Sequence, residues 1–150
     1  MLKLRKTSYF FNKKESEEIL RCIQEYEKNT SGEIRVFIES KCHYVDTYDR
    51  AKELFLNLQM DKTMNRNAVL VYIAYQHKEF AFCSDENFYR NTNKIFWDKL
   101  KSNLSENFRK GNKKEGLINC IHKIGNELSL YFPNNGERKN ELPDEIIFGK

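Results

Sequence analysis

The sequence predicts an α/β fold, a three-layer α/β/α sandwich in which a mixed β-sheet carries helices on both faces. Three observations carry this reading. Helical stripes alternate with short, β-branched runs along the chain. The run Ala68-Val69-Leu70-Val71-Tyr72-Ile73-Ala74 is apolar throughout, as a strand covered on both faces must be. After a break of only four residues, Tyr75 to Lys78, a second strand pattern follows, and so short a break permits only an antiparallel hairpin.

Each element has its own signal. Asn12 caps a helix from about Lys13 to Lys28, with Glu15 completing a box-like pair and Ile19, Leu20, Ile23 and Tyr26 on one face. Asn29-Thr30-Ser31-Gly32 stops it, and Ile34 to Ile38 reads as a strand. The pattern lapses between Ser40 and Tyr44. A second helix begins near Asp46, places Tyr48, Ala51, Leu54, Phe55 and Leu58 on a stripe, and ends before Asp61. The Ala68–Ala74 strand and its partner, Glu79 to Cys83, come next. A third helix runs from about Thr92 to Phe108, with Ile95, Phe96, Leu100, Leu104 and Phe108 toward the core and Trp97 beside them, core or half-buried. The fourth, near Gly116 to Phe132, turns Leu117, Ile121, Ile124, Leu128 and Tyr131 inward until Pro133 ends it. Asn134 to Asn140 is a polar linker, and Glu141 to Phe148 is apolar enough to dock.

The 150 residues fit a single domain, with a core of about 11–133 and a C-terminal tail, 134–150, docking on it. Hydrophobic residues make up 39% and charged residues 32%, a water-soluble balance. The net charge of +4 is interleaved along the chain. Its densest basic stretch, Arg109, Lys110, Lys113 and Lys114, surrounds a helix end at Gly111, where cations match the dipole, so a nucleic-acid partner is not expected. Cys22, Cys42, Cys83 and Cys120 form no CxxC pair and read as free, buried thiols. Met1 to Lys6 lacks an apolar run of signal-peptide length, and no stretch approaches the roughly 20 apolar residues of a transmembrane segment. A cytoplasmic location is the expectation.

Several segments together resemble the TPM family, the domain shared by thylakoid and bacterial membrane-associated proteins. They are Thr30-Ser31-Gly32-Glu33-Ile34-Arg35-Val36, Arg50-Ala51 through Phe55, Leu58 to Met60, and Asn67-Ala68-Val69-Leu70-Val71-Tyr72. The strand ending at Asp85, Phe96-Trp97, Phe132-Pro133 and Glu141-Leu142-Pro143 complete the set. The resemblance spans about Phe11 to Ile147 and is to a stand-alone, soluble, bacterial type. It implies a mixed sheet between helices. It also implies one of several roles: assembly or repair of a protein or membrane-associated complex, acid-phosphatase activity, or binding of Ca²⁺ or Mg²⁺. Relatives commonly have glycines around the aspartate and Asn-Gly before the central strand. Here the runs are Ser84-Asp85-Glu86-Asn87 and Asn67-Ala68, which leave less room for a ligand beside the backbone, although Asn87 tolerates a left-handed turn.

The hairpin places Asp85 and Glu86 beside Asn65, Arg66 and Asn67. If the Ile34 strand runs parallel to Ala68–Ala74, Glu33 reaches the same edge. Glu33, Asn67, Asp85 and Glu86 then form a candidate metal site, because hard cations such as Ca²⁺ or Mg²⁺ seek oxygens with at least two carboxylates. Arg66 is the phosphate-binding candidate. The alternatives are structural: Asp85 capping the following turn, Glu33 pairing with Arg35 or Arg66, and Arg66 in an ion pair with Asp85. A second-choice pocket lies at the carboxyl ends of the parallel strands, at Glu39, His43, Asp46 and Asp49, with Asp46 also suited to capping the second helix. His43, His77 and His122 show no zinc spacing. No catalytic residue is assigned; Cys83 closes an apolar strand beside two carboxylates, which should raise its thiol pKa and argues against an activated nucleophile. The expected function is a divalent-cation-responsive protein-interaction module. The alternative is a metal-assisted acid phosphatase, a phosphomonoesterase.

Overall fold

The computed structural model describes residues 10–134 and 146–149. The first helix lying wholly within the described residues, α1 (Lys13–Glu27), starts where the sequence places it: Asn12 Oδ1 accepts the Glu15 amide at 2.8 Å and the Glu15 carboxylate accepts the Asn12 amide at 3.0 Å. The chain continues through β1 (Glu33–Glu39), α2 (Thr47–Asn57), a 3₁₀ turn (Met60–Lys62), β2 (Ala68–Ala74), β3 (Glu79–Ser84), α3 (Glu86–Asn91), α4 (Lys94–Arg109), α5 (Lys113–Tyr131) and β4 (Ile146–Phe148). The four strands form one mixed sheet in the order β3-β2-β1-β4. β1 is parallel to β2, with Glu33 opposite Ala68, and parallel to β4, with Phe37 opposite Ile147. β3 is antiparallel to β2. The fold is thus the expected α/β sandwich. The tail docks as a strand through Ile146–Phe148, while Glu141-Leu142-Pro143 lies outside the described residues.

Strand alternation sends two sets of side chains in opposite directions. Ile34, Val36 and Ile38 of β1, with Val69, Val71 and Ile73 of β2, meet α1, α4 and α5 through Ile19, Ile23, Leu100, Leu104, Ile121 and Leu128. On the other face Phe37, Leu70 and Tyr72 meet Ala51, Leu54 and Phe55 of α2 and Met60 of the 3₁₀ turn. One face is therefore covered by several helices and the other mainly by one. α1 and α5 approach closely at Gly125, where an added Cβ would lie 2.3 Å from the Tyr26 ring. The Tyr26 hydroxyl also meets His122 Nδ1 at 2.6 Å, which ties the same two helices.

Three details differ from the sequence expectation. A short helix, α3, follows Asp85 directly, because Asp85 caps it and Phe88 buries itself completely. The third expected helix starts at Lys94, where Asn93 Oδ1 accepts the Phe96 amide, and the fourth starts earlier, at Lys113. Ile95 is exposed, and Trp97 takes the core position, with its Nε1–H donating to Thr92 Oγ1 at 2.8 Å. Likewise Tyr48 and Tyr131 sit at partly exposed positions, not in the core.

Candidate functional site

The parallel register brings the start of β1 and the start of β2 to one sheet edge, and the antiparallel register returns the end of β3 to it. Glu33, Asn67 and Asp85 therefore lie at one sheet edge on three chain segments, and all three are buried. Ala68 O accepts the Asp85 amide at 2.9 Å, and Arg66 O accepts the Asn87 amide at 3.1 Å, which closes the edge around Arg66. Arg66 itself adopts a left-handed backbone, φ 50°, a conformation unusual for a long side chain. Asn87, which tolerates that conformation, is helical instead and uses its side-chain amide to hold Asn65 O at 2.8 Å.

Arg66 and Asp85 form a two-pronged ion pair. Nε lies 2.8 Å from Oδ2 and Nη2 lies 2.9 Å from Oδ1. The same Oδ1 accepts the Glu86 amide at 2.8 Å, so Asp85 caps α3 and holds a guanidinium at once. Glu86 is half-exposed in the first turn of α3, 3.7 Å from Arg66 Nη1 and 3.9 Å from Arg90. Both structural alternatives for Asp85 are present together. Arg66 faces a carboxylate.

Deeper in the edge, the Asn67 side-chain nitrogen donates to Ser31 Oγ at 3.1 Å, as does that of Asn65. The Asn67 carbonyl oxygen is fully buried and accepts no hydrogen bond among the described residues; Thr63 Oγ1, nearby in sequence, is in the same condition. Orphaned buried acceptors are rare because they forfeit hydration without compensation. Sequence reasoning passes over two contributors. Ser31 is the hub of the asparagine side chains and lies in the TSGEIRV stretch. Glu27 is buried, and its carboxylate accepts the Ile34 amide at 2.8 Å, securing the start of β1. Its signal is its spacing: Ile19, Ile23 and Glu27 recur every four residues on the core face of α1.

The second-choice pocket does not converge. Glu39 is buried and held by Arg50, at 2.9 Å from Nε and 3.0 Å from Nη2, and by the Tyr72 hydroxyl. Asp46 caps α2 by accepting the Tyr48 amide at 2.9 Å, Asp49 lies exposed in the first turn, and His43 is exposed. His77 is exposed in the hairpin turn, with Nδ1 accepting the Cys42 amide at 3.1 Å.

The four cysteines are free, and Cys42, Cys83 and Cys120 are buried. Burial pushes the Cys83 thiol up, and pushes Cys120 to about 12. Neither is an activated nucleophile. A folded-state pKa above the unfolded value means that Cys120 contributes stability below pH 9.0, and that this is lost as pH rises toward about 12. Urea unfolding across that window should show stability falling with pH, and Cys120→Ala should flatten the slope by about 1.4 kcal/mol per pH unit. An unchanged slope would refute the assignment.

A four-stranded mixed sheet between helix layers defines the class, an α/β/α sandwich domain. The TPM domain model matches residues 5–127, and the chain belongs to the TPM family. It is similar to the BA42 protein of the psychrophilic bacterium Bizionia argentinensis, whose NMR structure aligns with a TM-score of 0.86 at 38% identity. That alignment covers 93% of this chain and 96% of that one. No curated protein matches the chain. Among the described residues no helix is long and apolar enough to cross a membrane, and no three His, Cys, Asp or Glu side chains group as metal ligands.

Proposed function

We propose that this chain is a protein-interaction domain that responds to a divalent cation at the Glu33–Asn67–Asp85 edge, acting on a protein or membrane-associated complex. The observation that carries the reading is the buried Asn67 carbonyl oxygen, which accepts no hydrogen bond among the described residues at an edge that also buries the Glu33 and Asp85 carboxylates. Ca²⁺ or Mg²⁺ would satisfy that oxygen together with the carboxylates. The Arg66 fork already supplies positive charge to Asp85. A cation must therefore displace or share it, and occupancy would release Arg66 and alter the start of α3. Glu86, half-exposed and 3.7 Å from Arg66, would join as a ligand from the solvent side.

The alternative, a metal-assisted phosphomonoesterase, needs Arg66 to meet phosphate, and its engagement with Asp85 weighs against that role. The test is amide NMR during titration with CaCl₂ or MgCl₂. Shifts at Glu33, Asn67 and Asp85 are expected by millimolar metal, with about tenfold tighter binding in Arg66→Gln, corresponding to about 1.4 kcal/mol. Asp85→Asn should weaken binding. Absence of metal-dependent shifts at all three positions sinks the cation reading. Turnover of an aryl phosphate by the purified protein, abolished in Asp85→Asn, would favour the phosphatase instead.

A further inference from the structure

Among the described residues β3 is an edge strand, and its open side lies in a trough between two walls. A cavity of about 810 Å³ runs beside Phe82, Cys83 and Ser84, and a second, of about 540 Å³, continues along Phe80, Ala81 and Phe82. One wall is α2, with Tyr48 and Lys52; the other is α4, with Trp97 and Lys101.

The hydrogen-bond phase of β3 is set by its register. Asp85 donates to Ala68 O, so the pairs Leu70–Cys83, Tyr72–Ala81 and Ala74–Glu79 face each other across the ladder. The amide and carbonyl groups of Phe80, Phe82 and Ser84 must then point away from β2. No backbone or side-chain group among the described residues meets them. A strand of Phe80 to Ser84 presents about 17 Å of unpaired backbone, a template of the kind extended peptides use.

The charge on the walls selects the occupant. Of the lining charges, Lys94 pairs with Asp98 at 2.7 Å and Arg66 with Asp85. The Asp61 carboxylate is met by Lys62, and that of Glu86 by Arg66 and Arg90. Lys52 and Lys101 form no ion pair among the described residues, and they stand on opposite walls. Side chains of an added strand alternate between those walls. Two acidic residues an odd number of positions apart would therefore meet one lysine each. A second copy of this chain pairing β3 to β3 would instead bring lysines against lysines, which opposes association.

We infer that the β3 edge is a docking site for an extended, acidic segment of a partner protein, which adds a fifth strand to the sheet through Phe80, Phe82 and Ser84. This inference rests on the interaction-domain reading but needs no cation. The probe is the acetylated peptide Ser-Val-Glu-Val-Thr-Asp-Val-Thr-Ser, titrated with and without EDTA. Hydrogen exchange should show the amides of Phe80, Phe82 and Ser84 gaining about tenfold protection at saturation, with those of Ala81 and Cys83 unchanged. A peptide N-methylated at two consecutive central residues, so that both its edges lose a donor, should not bind. The surface variant Lys52→Glu/Lys101→Glu, which leaves the core intact, should bind the parent peptide about tenfold more weakly. Equal binding of the N-methylated peptide, or no protection at millimolar parent peptide, overturns the proposal. Protection that rises with protein concentration alone assigns the edge to a second copy and overturns it too. Peptide binding without metal-dependent shifts would leave this site standing while removing the cation.

Discussion

Replacing Arg50 by alanine should destabilise the domain by about 3 kcal/mol, toward the low end of the loss expected when one partner of a buried ion pair is removed. Glu39 ends β1 inside the sheet layer, and its side chain is only 7% exposed. Its two oxygens accept from Arg50 Nε and Nη2, while the Tyr72 hydroxyl donates to Oε2. Alanine at position 50 leaves that carboxylate with the phenol alone. The cost sits at the low end because Arg50 is 22% exposed, so water can enter along its path. Arg50 also holds Glu53 at 2.6 Å and lies over the Tyr44 ring, so its removal loosens the start of α2 as well. Tyr72→Phe should cost less, about 1–3 kcal/mol, since the guanidinium fork remains. Urea unfolding of the single variants and of Arg50→Ala/Glu39→Gln measures the effect. The double variant should be more stable than Arg50→Ala, because no buried charge is then left unmatched. A double variant no better than the single one would show that the loss comes from packing.

This network also marks the limit of what local sequence reveals. Asn12 with Glu15, the apolar run Ala68–Ala74 and the four-residue break before Glu79 are local signals, and the caps, strands and register obey them. From that register alone, Glu33, Asn67 and Asp85 can be brought to one edge. The partners of those residues are another matter. Arg66 could meet either a phosphate or Asp85, and nothing in its sequence neighbours decides between them. The choice depends on its left-handed backbone and on α3 beginning at Glu86. Glu39 reads as available at a carboxyl edge, yet Arg50 and Tyr72, 11 and 33 residues away, consume it. Ile95 and Trp97 compete for one core position, and the pocket between Phe82 and Phe88 admits the indole. Each of these outcomes is set by side chains distant in sequence, which periodicity does not report.

Phe88→Ala should be the most damaging single truncation around the candidate site, at about 3–4 kcal/mol. Phe88 is the one buried side chain of α3, with no exposed surface, and a six-residue helix has little intrinsic stability of its own. The ring meets Trp97 edge-on at 6.0 Å and Phe96 at 6.3 Å, and Trp97 in turn packs on Phe82 of β3. Alanine removes both aromatic contacts and leaves a cavity that two large rings cannot readily fill. The consequence extends to function. Asp85 caps this helix and holds Arg66, so loosening α3 should weaken the cap and the ion pair together. Thermal and urea unfolding give the stability loss, and hydrogen exchange at the Glu86 and Tyr89 amides reports the helix. Phe88→Leu, which preserves most of the volume, should recover more than half the loss and restore protection at Glu86. If Phe88→Ala leaves the amides of α3 as protected as before, then Asp85 and Arg66 hold the helix without the aromatic anchor. The edge carrying Asp85 would then be rigid for reasons of charge rather than packing.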